Sequence, residues 1–322
     1  MPAGPKTIGF LTEDFSALDV SWDNSLLFGA EFRRRGHRVL FASWRTMCLA
    51  NEGLTAIFHE SAYVGSGDPL AQFTDPRPLD FRELDLCLLR MDPPVDSRYL
   101  VATHMLDRAG TLVLNDPVAI RSYNEKLAIF SYPGGISVSR VVMSEESAMD
   151  ALRGAPDVRQ WIAKPTNAFG GMGVVKFAAD DPEQAKGLMR RSSEDWREPL
   201  MLQEFNERVR EGDKRIFLLE GEPIGWVNRI PREGQYLANI HAGAVTVPFE
   251  LSEADRAACR HVADTFPKDR LPLICIDIIG DHLSEINVTC PSGLIQINRA
   301  MDRRCELPII DYFERRIRMP RR

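Results

Sequence analysis

The alternation of apolar and polar positions opens on Thr7-Ile8-Gly9-Phe10-Leu11, a short apolar run that predicts a strand. Asp23-Asn24-Ser25 supplies capping residues for a helix to about Arg35, with Gly36 as its stop, and residues 37–42 predict the next strand. This is a βαβ opening. Residues 50–80 lose periodicity and are rich in Gly, Pro and Asp, which predicts short hairpins or loops. Residues 84–90 predict a buried strand whose carboxyl end runs into Met91-Asp92-Pro93-Pro94, the kind of end where open α/β sheets gather ligands. A helix is expected over 97–108 and a strand over 111–114. Asp116-Pro117 then reads as N-cap and first helical position of a helix that carries Arg121, Asn124, Glu125 and Lys126 and ends before Pro133-Gly134-Gly135.

Past that Pro-Gly-Gly, a candidate domain joint, the pattern becomes α+β. Residues 160–165 predict a strand, 166–173 a Gly-rich loop and 174–177 a second strand, followed by a helix over 182–192 and a strand over 200–205. Residues 213–229 read as a long hairpin turning at Glu220-Gly221-Glu222, which puts Arg215 and Arg229 near its open ends. A small-residue loop lies at 239–244, Ser252 caps a helix to about Phe266, and the last helix is expected over 306–318.

Residues 274–287 are two apolar strands joined by a turn, with acids where a sheet normally takes apolar or neutral side chains. Glu285 and Asn287 share a face by the two-residue period of a strand. If Gly280-Asp281-His282 is a three-residue loop, Asp277 lies opposite Glu285. Facing carboxylates repel unless a cation sits between them, and Asp, Glu and an amide carbonyl are the hard oxygen ligands of Mg²⁺. A solvated acidic face is the competing reading of this segment alone. The Gly loop likewise reads either as a plain turn or as a phosphate cover with Lys164 beside it.

Composition changes this picture little. The chain has 322 residues, 44% apolar and 27% charged, with net charge −6, which suits two or three globular sub-domains and disfavours a nucleic-acid partner. No apolar run is long enough to span a bilayer and no signal-peptide pattern is seen. The six cysteines show no CxxC, so neither zinc nor a disulfide framework is suggested, and a cytoplasmic, thiol-reduced protein is expected. The loop after the first strand, Thr12-Glu13-Asp14-Phe15-Ser16, lacks the glycines of a dinucleotide fold, which disfavours NAD.

In order along the chain stand Met91-Asp92-Pro93-Pro94, Asn124-Glu125-Lys126, Lys164-Pro165 with its Gly loop, Gly212-Asp213-Lys214-Arg215, Arg229-Ile230-Pro231 and Asp277 with Glu285-Ile286-Asn287-Val288-Thr289. This succession resembles the prokaryotic glutathione synthetases, ATP-grasp carboxylate–amine ligases, over nearly the whole chain. The resemblance implies an α/β (α+β) ATP-grasp fold: an N-terminal Rossmann-like pre-ATP-grasp domain at 1–122, a central lid domain at 123–198 and a C-terminal antiparallel-sheet domain at 199–322. It implies ATP as co-substrate with Mg²⁺ or Mn²⁺, a carboxylate and an amine as small-molecule substrates, and a homo-oligomer, with no nucleic-acid or membrane partner. It places Lys126 and Lys164 on the phosphates, Gly170, Gly171, Met172 and Gly173 as their cover, Gln203, Glu204 and Phe205 beside adenine and Asp213 on the ribose. Arg215 and Arg229 would stabilise the transferring phosphoryl group, Asp277, Glu285 and Asn287 would hold the metal, and Asn239, His241 and Gly243 would meet substrate.

The ATP and metal positions keep the family pattern, whereas the loop Leu237-Ala238-Asn239-Ile240-His241-Ala242-Gly243-Ala244 departs from it. The family usually has an arginine where Leu237 stands. Two enzyme readings follow: glutathione synthetase itself, or a relative that uses acyl-phosphate chemistry on another carboxylate and amine, including ring closure. A non-catalytic ATP-binding regulator is the third.

Overall fold

The computed structural model describes residues 4–13, 18–19, 21–63, 71–73, 76–238 and 243–319, which form three sheets and their covering helices. The first sheet is built from Thr7–Thr12 (β1), Arg38–Ser43 (β2), Cys48–Ala50 (β3), Gly53–Tyr63 (β4), Ala71–Phe73 (β5), Arg77–Asp80 (β6), Leu86–Leu89 (β7) and Leu112–Leu114 (β8). Its order is β3-β4-β2-β1-β7-β8, with β5 and β6 pairing to β4. The pairs β1–β2, β1–β7 and β7–β8 are parallel, as the crossover through helix Asn24–Arg34 (α1) requires. Asp23 caps α1 by accepting from the amides of Ser25 and Leu26. The expectation of only short hairpins or loops over 50–80 is corrected: β4 runs for 11 residues. It alternates buried Leu54, Ala56 and Phe58 with polar or exposed neighbours, a period-2 signal diluted by the Gly- and Pro-rich flanks.

Helices Ser97–Leu106 (α2) and Pro117–Ser122 (α3) follow in that layer. The helix expected to carry Asn124 to Lys126 stops at Ser122 instead. Asn124 is the physical reason: its side chain accepts from the amides of Lys126 and Leu127, a local turn that competes with helix propagation.

The second sheet contains Ser139–Val142 (β9), Gln160–Pro165 (β10), Val175–Ala178 (β11) and Leu200–Glu204 (β12) in the order β11-β10-β12-β9. Helices Glu145–Arg153 (α4) and Pro182–Ser192 (α5) cover one face, and Trp161, fully buried, centres the resulting core. That core draws only on residues between Val142 and Leu202.

The third sheet is antiparallel: Asp213–Leu219 (β13), Glu222–Ile230 (β14), Val245–Val247 (β15), Leu273–Ile279 (β16) and His282–Asn287 (β17), ordered β15-β14-β13-β16-β17. Helix Glu253–Thr265 (α6) packs on it, capped by Ser252. Leu294–Met301 (α7), not foreseen from the sequence, and Glu306–Arg318 (α8) close the chain. The first and third sheets share their cores: Phe28 and Phe32 of α1 meet Phe313 of α8, each pair at 6.3 Å between ring centroids. Among the described residues no helix is long and apolar enough to cross a membrane.

Candidate active site

All three sheets send residues to one cavity of about 400 Å³. Its floor is the β16–β17 hairpin. The turn is two residues, Gly280-Asp281, not the three-residue loop expected, because Ile279 pairs with His282. A bulge between Asp277 and Ile278 leaves Ser284 unpaired and restores the predicted register, so Asp277 does face Glu285.

The repulsion between those carboxylates is relieved by cations from other strands. Asp277, 3% exposed, accepts Arg215 Nε at 2.9 Å and Nη2 at 2.7 Å, a bidentate pair, and Arg229 Nη2 at 3.1 Å. Arg229 Nη2 also reaches Asp213 Oδ2 at 2.7 Å. The register explains this convergence, since β13 places Arg215 opposite Asp277 on one side while Asp213 lies opposite Arg229 on the other. Burial works to raise the Asp277 carboxyl, but Arg215 and Arg229 outweigh it and hold it below the usual carboxylate range. Burial dominates at Asp213 and pushes its carboxyl up to about 6 against the opposing pull of Arg229.

Glu285 pairs with Lys126 at 2.9 Å. Burial and Asp277 would raise Glu285, and Lys126 with Lys164 offsets them, so the carboxyl lies below its ordinary value. Lys126 Nζ also donates to the carbonyl of Ala168 in the Gly loop. Lys164, on β10, donates to Gln203 Oε1 at 3.1 Å and to the Ser284 carbonyl at 3.4 Å, and burial pulls its ammonium down to about 8. Gln203 is held in turn by donating Nε2 to Ser139 Oγ at 3.0 Å.

Gly170, Gly171 and Met172 line the cavity roof, with Met172 half exposed. Gly173 has φ +71° and sits so close to Pro165 that a Cβ would come within 2.8 Å of its ring, which ties the loop to the end of β10. Glu204 and Phe205 line the wall beyond β12 together with Ile162, Val209 and Leu283. Lys176, not singled out from the sequence, stands 3.4 Å above the Phe205 ring.

Asn287 donates Nδ2 to the Cys275 carbonyl at 3.3 Å and to Asp277 Oδ2 at 3.4 Å, and among the described residues its Oδ1 accepts no hydrogen bond. Among the described residues no three His, Cys, Asp or Glu side chains converge as a metal cluster. The Asp277, Glu285 and Asn287 set is all oxygen, a donor chemistry that suits a hard divalent cation. Gly243 lies outside the cavity lining and its carbonyl accepts Arg232 Nε at 3.1 Å; Asn239 and His241 lie outside the described residues. The described part of that loop reaching the cavity is Tyr236-Leu237-Ala238. Sequence reasoning gave no role to Glu125 or Asp92, both of which line the cavity. Asp92 was signalled by its place at the carboxyl end of a buried strand, and Glu125 only by standing inside Asn124-Glu125-Lys126.

Comparison with known proteins gives this geometry a relation. The family described as prokaryotic glutathione synthetase, N-terminal domain, matches residues 7–121, and the prokaryotic glutathione synthetase ATP-grasp domain matches residues 125–302. Glutathione synthetase of Brucella melitensis is 32% identical over 293 residues, covering 89% of this chain and 91% of that protein. The Vibrio vulnificus (strain CMCP6) glutathione synthetase is 31% identical over 316 residues, covering 96% and 98%. Among solved structures, D-cycloserine synthetase DcsG superposes with a TM-score of 0.67 at 16% identity, covering 97% of this chain and 100% of that one, which supports the fold. With both domain matches spanning the cavity and its three sheets, the chain belongs to the prokaryotic glutathione synthetase family.

Proposed function

We propose that this ATP-dependent carboxylate–amine ligase is a glutathione synthetase, joining γ-glutamylcysteine to glycine with release of ADP and phosphate. The single observation that supports this best is the convergence of Lys126 on Glu285 and of Arg215 and Arg229 on Asp277 in one cavity, with Lys164 held beside them by Gln203 and the Ser284 carbonyl. Phosphoryl transfer asks little covalent chemistry of a protein but needs fixed positive charge around the moving group. In this reading Lys126 and Lys164 bind the phosphates, and Gly170 to Gly173 cover them with backbone amides. Arg215 and Arg229 hold the charge that develops as the donor carboxylate becomes an acyl phosphate, and the amine then attacks the acyl carbon and expels phosphate. Glu204 and Phe205 flank adenine, Gln203 orients Lys164, and Asp213 faces the nucleotide from β13.

Asp277, Glu285 and Asn287 fit a divalent cation by donor type, and we assign it as Mg²⁺, with Mn²⁺ as substitute. When bound, that cation would neutralise phosphate charge and orient the γ-phosphate. Lys126, Arg215 and Arg229 neutralise the same carboxylates in its place. Residues 1–122, 123–198 and 199–322 act here as substrate platform, lid and metal floor, with β12 shared between the lid sheet and the wall of the cavity. The substrates are small molecules. A homo-oligomer in the cytoplasm belongs to the same reading.

A second reading keeps the chemistry and changes the carboxylate and the amine, ring closure included. It is favoured by the Tyr236-Leu237-Ala238 wall, which brings no cation for the carboxylate of an amino-acid acceptor. The test is ADP release by purified protein with Mg²⁺-ATP, γ-glutamylcysteine and glycine. Release that requires both substrates is the expected result. Release with another amine or another carboxylate, but not with γ-glutamylcysteine and glycine, would select the second reading, and no release with any acid and amine would reject both. Glu285→Gln is expected to lower turnover by at least about a hundredfold with an unchanged melting temperature; near-normal activity would contradict the cation assignment.

A further inference from the structure

We propose that Glu125 is a positioning residue that fixes Lys126 and Asn287 relative to one another, so that the nucleotide and cation sites assemble as one unit. The inference rests on the ligase reading above. Glu125 is 8% exposed, and its Oε1 accepts three hydrogen bonds: from the Val288 amide at 2.8 Å, the Thr289 amide at 2.9 Å and Thr289 Oγ1 at 2.8 Å. Its backbone carbonyl accepts from the Ile286 amide at 3.0 Å. One residue therefore grips the chain on both sides of Asn287.

The neighbours of Glu125 complete the junction. Lys126, next in sequence, reaches Glu285 at 2.9 Å, and Asn124, just before it, donates Nδ2 to the Thr166 carbonyl of the lid loop at 3.0 Å. Helix α3 ends at Ser122, so residues 123–126 have no regular element to hold them. Their placement comes from these contacts, and the Glu125 carboxylate supplies the most buried of them. Two buried amides would lose their acceptor if that carboxylate were removed, and the strand exit would move to find another.

A buried carboxylate on the cavity wall has a rival use, as a proton acceptor for the attacking amine. The two roles separate on substitution. In Glu125→Gln the amide Oε1 still accepts all three bonds, which preserves positioning and removes basicity. In Glu125→Ala both are lost.

The experiment measures binding of a non-hydrolysable ATP analogue by calorimetry and of Mn²⁺ by electron paramagnetic resonance, on the full chain, with steady-state kinetics alongside. E125Q is expected to stay within about threefold of wild type in both affinities and in kcat. E125A is expected to lose about tenfold or more in analogue affinity and in Mn²⁺ affinity together, with KM for the carboxylate and the amine little changed. Should E125A fail to fold, Thr289→Val removes one of the three bonds and is expected to weaken both affinities in parallel by a smaller factor. Wild-type affinities in E125A or T289V, or loss of one affinity without the other, would overturn the proposal. So would an E125Q variant as impaired in kcat as E125A, which would make Glu125 a base. Failure of the wild-type protein to bind the analogue would overturn the ligase reading itself, and this inference with it.

Discussion

At Glu31, three guanidinium groups from opposite ends of the chain meet one carboxylate that is 2% exposed: Arg34 and Arg35 of the same helix and Arg304 from the loop before α8. The Arg34 bond, with those of Arg35 and Arg304, outweighs burial and brings the Glu31 carboxyl from 4.5 down to about 2. A carboxyl lowered on folding stabilises above its unfolded value and loses that contribution as pH falls through its folded one. Each pKa unit corresponds to about 1.4 kcal/mol, and solvent screening at Arg34 and Arg304, both more than half exposed, reduces the sum to about 2 kcal/mol. Glu31→Gln is therefore expected to cost about 2 kcal/mol at pH 7, with the gap to wild type closing between about pH 4.5 and 2. Urea midpoints against pH would show it; a gap independent of pH would refute the ion-pair account. At this scale, side chains whose partner is set by strand alternation were legible: Asp277 and Glu285 face each other as their spacing predicts. Glu125 was not, because its partners lie more than 160 residues away and no local pattern encodes them.

Elements show the same division. Strong periodicity or clean caps marked α1, α5, α6 and α8. Helix α7 escaped because it follows Gly293 with no side-chain cap, and its apolar positions meet β14, which only the fold reveals. Gly225 of β14 is the contact that matters there. A Cβ on it would come within 2.7 Å of Ile297 Cγ2 and 2.9 Å of Cys305 Sγ. Gly225→Val thus overpacks a closed face, and a loss of about 2–3 kcal/mol is expected, read as a lower denaturant midpoint. An unchanged midpoint would mean that α7 can move away from the sheet at little cost. The β16–β17 hairpin shows a different relation. The wrong turn length still gave the right pairing because the bulge at Ser284 compensates by one residue.

Across the whole molecule, the first and third sheets are stitched into one body. Asn115 Nδ2 donates to the carbonyls of Leu273 and Val288, both at 2.8 Å, and Asp116 binds Arg270 at 2.7 Å. The second sheet keeps its own core around Trp161, while Met201 of β12 joins the core that also holds Ile216 and Ile276 of the third. Polar ties at the cavity include Lys126 to Ala168, Asn124 to Thr166 and Lys164 to Ser284. In the function proposed above, such bonds would exchange for phosphate oxygens, and the second sheet would shield an acyl phosphate from water. In that proposed function, this cavity activates a carboxylate by phosphorylating it. The direct test uses γ-glutamylcysteine labelled with ¹⁸O in its cysteinyl carboxylate, with Mg²⁺-ATP and glycine. Attack of the amine on the acyl carbon breaks the bond to the bridging oxygen, so one labelled oxygen is expected in each phosphate released. Amide formation with unlabelled phosphate would contradict the acyl-phosphate account.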